Sequence, residues 1–513
     1  MPSGRPALRA PLALILATQA ALLLARPGLL PPWGDEYSSL MRAALPAGEM
    51  LEALRHNVHP PLYAALLQGW LALPWDAPAL QRARVLSALL LLAATVVLDR
   101  TWLRDVDART RGWFLVLWAA SPALLLYGRM ARSYSLQLLL APPALWLGWR
   151  AVREPTTRHA FAYGVVLTLL LYAHYLPGLA VLGGVAGSAL WRWWATGDRR
   201  VLRALLLPLA IVAVGYAPWL PALSGALGRV GHGAPYSPLG HRWLDAGLSL
   251  AYALVSFSLG EALWPWMPLA LPLLAVGLAV LLWRGLRAPP AWLGLILPAA
   301  VIAFAGAGQW VSYAFVAARL LFLLPFYLLL LLHGGRDAPR LRNAVGGLWL
   351  ALSLGGIAAY FAGAGFLNQA YVIPAAAIAQ TIAPPDSDAA PLIVLDHHNV
   401  NLTPLQLYLP ATAQVRLLEV ASDAEAAAAL AIPPRGGLWF AHAAHDTSPE
   451  GWNARIEAAW SRRCPLVRHQ FAPFSAFDRQ VMRIAGWPAQ PTHAVELVEL
   501  RCPAAAVAVS PAP

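Results

Sequence analysis

Long apolar runs recur along the first 365 residues, near 10–28, 83–99, 112–127, 133–149, 159–175, 177–194, 202–221, 265–283, 291–308, 315–333 and 343–363. Runs of roughly 17–25 apolar residues match the hydrocarbon core of a bilayer when helical, so the pattern predicts about eleven transmembrane helices. The first run follows Arg5 and Arg9. With ten more behind it, it reads as a retained signal anchor and not a cleaved signal peptide. The apolar segment 59–73 is shorter and opens His59-Pro60-Pro61, which suits a helix lying in the interface. After about residue 366 the apolar stretches shrink to strand length, as in Leu392–Leu395, Gly437–Phe440 and Val495–Val498. They alternate with helix-like pieces at 422–431 and 448–462, the pattern of a small α/β domain. The expected fold is therefore a polytopic α-helical membrane domain over 1–365, followed by a small α/β domain over 366–513. The first outer loop, 29–82, would carry interfacial helices.

Composition sharpens this picture. Of 513 residues, 59% are hydrophobic and only 12% charged, against about 25% charged in a soluble domain. That excludes a purely soluble protein. The net charge is +12, and all 37 bases are arginine. Such a balance often marks a nucleic-acid binder, but here the arginines lie between apolar runs, so membrane lipids and not nucleic acid are the expected partner.

Placing the N-terminus in the cytoplasm puts eighteen arginines in cytoplasmic segments, among them Arg100, Arg104, Arg109, Arg150, Arg199, Arg284 and Arg340. This satisfies the positive-inside rule, provided that 59–73 does not cross. The C-terminal domain then lies outside the cytoplasmic membrane. Nine arginines belong to that domain. The remaining ten, Arg26, Arg42, Arg55, Arg82, Arg84, Arg129, Arg132, Arg229, Arg242 and Arg319, face outward from the membrane domain, where topology does not explain them.

Candidate chemistry gathers on that outer side. The first loop holds Asp35 and Glu36 side by side. Either Asp35 caps a helix starting near Glu36, or one carboxylate serves as a general base; the residues alone leave both readings open. A later loop reads Tyr127-Gly128-Arg129-Met130-Ala131-Arg132-Ser133-Tyr134. Its two arginines need an anionic partner, either a phosphate, which guanidinium fits well, or the acids of the first loop. His174-Tyr175 ends the fifth span, and the loop 222–264 holds Asp245 and Glu261. In the C-terminal domain, Cys464 and Cys502 are candidates for a disulfide. The pairs His397-His398 and His442/His445 lack a carboxylate or cysteine at metal spacing, so no metal site is expected. There is no Walker loop, Rossmann fingerprint, HExxH or GxSxG.

The order Asp35-Glu36, His59-Pro60-Pro61-Leu62-Tyr63, Arg82-Ala83-Arg84, Ser121-Pro122, Arg129 to Leu136, Ala173-His174-Tyr175 and Arg319 to Pro325 resembles the GT-C membrane glycosyltransferases. It is most similar to the bacterial family 39-like proteins, which are related to protein O-mannosyltransferases and lipid A aminoarabinose transferases. The resemblance covers roughly residues 10–335. It implies transfer of a sugar from a polyprenyl-phosphate donor to a lipid, polysaccharide or protein acceptor at the outer membrane face, with inversion and without metal or cofactor. It maps the catalytic base to Asp35, with Glu36 assisting or binding acceptor. Substrate contacts map to His59, Tyr63, Arg129, Arg132, Tyr134, His174 and Arg319. Tyr63 stands where protein O-mannosyltransferases carry glycine, which weakens a reading as protein mannosylation. Two other classes remain open from the residues: a multi-pass transporter or lipid flippase, and a non-catalytic membrane module that binds envelope polymer.

Overall fold

A computed structural model of the chain describes residues 9–231, 240–263, 267–307, 315–383, 391–396, 402–411, 413–418, 438–443, 465–473, 479 and 493–501. The described residues fall into two compact units. One comprises the chain up to Gly28 together with Ser39–Gly365, and the other comprises Leu29–Ser38 together with the chain from Phe366 onward.

The first unit is helical. Its elements run α1 (Arg9–Leu24), α2 (Gly34–Ala43, whose first turn belongs to the other unit), α3 (Ala47–Arg55), α4 (Leu62–Leu71), α5 (Ala79–Arg100), α6 (Ala108–Ala119), α7 (Pro122–Tyr127), α8 (Tyr134–Arg153) and α9 (Thr157–Ala173). They continue with α10 (Tyr175–Thr196), α11 (Arg200–Tyr216), α12 (Leu220–Gly231), α13 (Arg242–Leu259), α14 (Met267–Arg287), α15 (Leu293–Ala307), α16 (Leu324–Gly334) and α17 (Pro339–Ala362). The second unit adds α18 (Ala375–Ile382) and strands β1 (Leu392–Asp396), β2 (Gln414–Leu418), β3 (Leu438–Ala443), β4 (Leu466–Pro473) and β5 (His493–Leu500).

Each of the eleven expected runs is helical over most of its length. Five described stretches, Ala79–Arg100, Arg200–Gly228, Leu269–Arg287, Ala317–Gly334 and Pro339–Ala362, are long and apolar enough to cross a bilayer. Polar caps mark where helices begin. Asp107 accepts from the backbone N–H of Arg109 and Thr110, Ser121 from Leu124 with Pro122 in the first turn, and Thr156 from His159. Each cap satisfies donors that a helix leaves open at its N-terminus. At the C-termini of α10 and α17, Gly197 and Gly363 take left-handed backbone at φ 68° and 66°, the conformation that closes a helix at least cost when no Cβ is present.

Two runs read as single spans are broken: α6 and α7 part at Ala120-Ser121, and Ala317–Leu323 is a 3-10 segment leading into α16. The segment 59–73 forms only the ten-residue α4. At 1.5 Å per residue it reaches about 15 Å, half of what a crossing needs. The loop 222–264 proves largely helical, as α12 and α13. In α13, Asp245, Gly247, Ser249, Ser256 and Ser258 interrupt the apolar residues, so no continuous hydrophobic run announces it.

Arginines finish several helix ends. Arg82 donates from Nη2 to the carbonyls of Leu71 and Leu73, just past α4, while the indole N–H of Trp70 donates to the Arg82 carbonyl. Gln68 donates to the carbonyls of Ala43 and Leu45 at the end of α2. Buried Arg84 donates to the Pro27 carbonyl at 2.8 Å, beyond α1.

The second unit is built on a five-stranded sheet in the order β2-β1-β3-β5-β4. β1 runs parallel to β2 and β3, whereas β5 runs antiparallel to β3 and β4. All three expected strand segments are present, and β2 and β4 extend the sheet. Ile378 and Ile382 of α18 pack with Ile393, Leu402, Leu405, Trp439, Val495 and Leu497 into its core. Residues 29–38 join this unit: Trp33 sets its ring edge-on to Tyr371 at 5.5 Å, and the Tyr37 hydroxyl donates to Gln406 Oε1 at 2.8 Å. The expected helices 422–431 and 448–462, Cys464, Cys502, His397, His398 and His445 lie outside the described residues.

The Arg82 contacts carry a testable consequence. Stranding partly buried carbonyls costs about 1–3 kcal/mol. Arg82→Ala is therefore expected to lower the thermal unfolding midpoint of the protein in detergent, and an unchanged midpoint would show that the α4 terminus does not need this side chain.

Candidate functional site

In the helical unit, Ser39, Arg42, Leu54, His59, Pro60, Tyr63, Ala64, Arg132, Ser133 and Ala173 line an open cleft of about 380 Å³. Local chain geometry explains the gathering. Pro60 and Pro61 prevent α3 and α4 from merging into one helix, and His59 sits at the break. Tyr63, in the first turn of α4, shares a 2.9 Å hydroxyl–hydroxyl hydrogen bond with Ser87 of α5. Beneath the cleft, Leu40, Ala43, Tyr63, Leu67, Ala83, Ala131, Leu136 and Ala173 form a buried apolar floor. Gly128 allows the chain to turn tightly after α7, because a Cβ there would lie 2.4 Å from the Leu124 carbonyl oxygen.

The polar wall is cationic. Arg132, only 8% exposed, approaches His59 Nε2 through Nη2 at 3.1 Å and reaches the Ser39 hydroxyl through Nη1 at 3.4 Å. A guanidinium can only donate, so Nε2 accepts and the neutral imidazole carries its proton on Nδ1. Burial, and then the Arg132 charge, hold the His59 imidazole well below its ordinary pKa, with His174, Arg42 and Arg319 acting in the same direction. Three of these groups are guanidiniums, so an anion entering beside His59 would meet positive charge. His174 lies at the one-residue break between α9 and α10 (φ −167°), where Nδ1 accepts from the Leu176 N–H and the ring centroid is 6.3 Å from that of His59. Arg319 lies in the 3-10 segment and donates to the Ala307 carbonyl at 3.1 Å.

Arg129 and Tyr134 are not among the residues that line this cleft. Arg129 is almost wholly buried and donates from Nη2 to the carbonyls of Ala25 and Arg26 at 2.9 and 2.8 Å, with its guanidinium 5.5 Å from the Tyr360 ring centre. Arg26 takes left-handed backbone at φ 49°, a conformation unfavourable for a residue with a Cβ, and Arg129 secures its carbonyl. Tyr134 packs edge-on to Tyr127, 6.0 Å between centroids. The Tyr127 hydroxyl in turn donates to buried Glu261 at 2.6 Å, and Tyr252 donates to the other Glu261 oxygen at 2.7 Å. Burial raises the Glu261 carboxyl, while both phenols pull it back down.

In the other unit, Asp35 and Glu36 occupy the first turn of α2. Glu36, 1% exposed, accepts the Trp33 backbone N–H at 3.1 Å. This is the backward-reaching half of a capping box. The helix begins one residue before Asp35, so Asp35 is a first-turn residue and not its cap. Arg42 and Ser39 were not singled out as ligands by sequence reasoning. Arg42 did carry a signal, as one of the ten outward arginines that topology leaves unexplained.

Helical bundle, short non-crossing helix, cationic cleft and appended α/β unit together describe a GT-C membrane fold, the class implied by the motif order. The chain matches two crystal structures of ArnT from Cupriavidus metallidurans, one bound to undecaprenyl phosphate (TM-score 0.54) and one in the apo state (TM-score 0.59). Each match is 13% identical and covers 96% of this chain and 97% of that one. No family model and no curated protein matches the sequence.

The depressed His59 pKa predicts a pH dependence of stability. Below about pH 6.5 the unfolded chain protonates this histidine while the folded chain does not, so stability is lost as pH falls. His59→Gln, which keeps an acceptor for Arg132, is expected to shallow the fall in thermal midpoint between about pH 6.5 and 5. A slope equal to wild type would show that His59 does not contribute to it.

Proposed function

We propose that the chain is a multi-pass glycosyltransferase of the bacterial cytoplasmic membrane that moves a sugar from a polyprenyl phosphate to an acceptor hydroxyl at the outer face. The observation that carries the reading is the cleft in which Arg132, Arg42 and neutral His59 meet within the field of Arg319. A lipid-borne phosphate suits such a place, because its tail stays in the bilayer while only the headgroup enters. The full-length likeness to ArnT, whose structure holds undecaprenyl phosphate, supports the same donor.

In this reading Asp35 is the base. It lies four residues before Ser39 and seven before Arg42 on α2, spacings that fall on one face of a helix. The acceptor oxygen attacks the anomeric carbon as Asp35 takes its proton. The bond from that carbon to the phosphate oxygen breaks, the configuration inverts, and polyprenyl phosphate leaves. The phosphate gains negative charge as it departs, and positioned guanidiniums stabilise such charge strongly where water is scarce. Arginine thus supplies the neutralisation, and the reaction as written needs no metal. Arg132 and Arg319 are the proposed phosphate ligands, joined by Arg42, with His59 orienting Arg132. Tyr63 and His174 border the bound headgroup. Glu36 and Arg129 support the site by fixing the start of α2 and the end of α1. Residues 1–365 form the catalytic domain, with the N-terminus cytoplasmic. Residues 366–513 form an extracytoplasmic domain.

Purified protein supplied with a panel of polyprenyl-phosphate sugars is expected to release polyprenyl phosphate. Loss of a general base lowers rates by about 10²–10⁴-fold, so Asp35→Asn should fall within that range, and unchanged turnover would remove the assignment. Folded protein that releases polyprenyl phosphate from no donor would overturn the transferase reading. Charge-assisted hydrogen bonds contribute about 1.5–3 kcal/mol. Arg132→Ala is accordingly expected to weaken binding of polyprenyl phosphate by about tenfold or more, whereas Arg109→Ala, at the exposed start of α6, should leave it unchanged. Equal effects would count against the cleft.

A further inference from the structure

Glu261 is a buried carboxylate that the proposed transfer does not use. It lies just past α13, accepts the Tyr127 hydroxyl through Oε1 at 2.6 Å, and accepts the Tyr252 hydroxyl through Oε2 at 2.7 Å. The backbone around it is held on two sides. The Leu263 N–H donates to the Gly365 carbonyl at 2.9 Å, just past α17. Gly260, at φ 76°, lies so close to the start of α7 that a Cβ there would sit 2.6 Å from Pro122 Cβ. Residues 260 and 261 therefore meet both ends of α7, Pro122 at its start and Tyr127 at its end.

Tyr127 closes α7, and the loop that follows it carries Arg132 to the cleft. That loop is tied together at its base. The Ser135 hydroxyl, in the first turn of α8, donates to the Gly128 carbonyl at 2.8 Å, and Tyr134 packs edge-on against Tyr127. Within the loop the Arg132 N–H donates to the Met130 carbonyl at 2.7 Å, a three-residue turn. Arg132 reaches the Ser39 hydroxyl at 3.4 Å, at the long end for a hydrogen bond, so a small displacement of the loop breaks this contact. Arg129 ties the same loop to the carbonyls that follow α1. Loss of the Glu261 contact should therefore shift the loop and not release it. Tyr252 differs, because it belongs to α13, nine residues before Glu261, and its bond stays within one stretch of chain.

We propose that Glu261 is a positioning residue for the transfer: by holding the Tyr127 hydroxyl it sets the base of the loop 128–133 and, through that loop, the place of Arg132 in the cleft. The inference rests on the reading of the cleft as the phosphate site. Glu261 touches neither donor nor acceptor and acts only through Tyr127.

The test compares undecaprenyl phosphate binding by full-length Tyr127→Phe and Tyr252→Phe, with thermal midpoints measured alongside. Each variant takes one hydroxyl from the same carboxylate, so the two midpoints should fall by similar amounts. Binding should separate them. Coupling through packed side chains changes affinity by about 2- to 30-fold, and Tyr127→Phe should weaken binding by about 3- to 10-fold, while Tyr252→Phe binds as wild type. In an Arg132→Ala background Tyr127→Phe should cause no further loss, because the side chain it positions is gone. Glu261→Ala should lose at least as much as Tyr127→Phe; if it fails to fold, Tyr127→Phe carries the test alone. Wild-type binding in Tyr127→Phe or in folded Glu261→Ala, an equal loss in Tyr252→Phe, or a further loss beyond Arg132→Ala would each overturn the assignment. Undiminished binding in Arg132→Ala would instead remove the reading of the cleft, and this inference with it.

Discussion

A backbone carbonyl left open at a helix end has no water to turn to near the hydrocarbon core, so it must find a donor within the protein. Much of one end of the helical unit is arranged around that requirement. Arg84 and Arg129 serve the carbonyls that follow α1, Arg82 serves those that follow α4, and Gln68 serves the end of α2. These contacts join segments distant in the chain and tie α1, α2, α4 and α5 to one another. The same arginines fit the task because guanidinium offers several donors in a fixed fork and stays charged at any relevant pH.

Once those carbonyls are satisfied, the remaining cations take on a different meaning. Arg42 and Arg132 line an open cleft with His59, and the charge of Arg319 acts on the same histidine. Arg132 donates to the Ser39 hydroxyl and to His59 Nε2. Concentrated positive potential beside apolar walls favours an amphiphile with an anionic head. The first turn of α2, which carries Asp35, is held within the other unit through Trp33 on Tyr371 and Tyr37 on Gln406.

Legibility in the sequence followed the range of the interaction. The apolar runs announced their helices, and the short His-Pro-Pro segment announced α4, because both depend on length, composition and proline within a local window. The three strand segments were equally readable. α13 was not, since its serines, glycine and aspartate break the run while its helical face stays apolar. Of the candidate site, Arg132, His59 and Tyr63 were legible through their motifs and do converge. Arg129 stood in the same motif and is directed elsewhere. Arg42 was legible only as an arginine without an explanation.

The sequence by itself determined that the chain enters a membrane and which segments are helical there. Hydrophobic burial depends on composition summed along a segment, so no knowledge of the fold was needed. Only the tertiary structure decided which partner each arginine takes. Arg129 meets the carbonyls of Ala25 and Arg26, and Arg132 meets Ser39 and His59, although the two arginines are three residues apart. That division turns on which groups come within about 3 Å of each guanidinium, a distance fixed by packing between segments far apart in the chain and written in no local pattern.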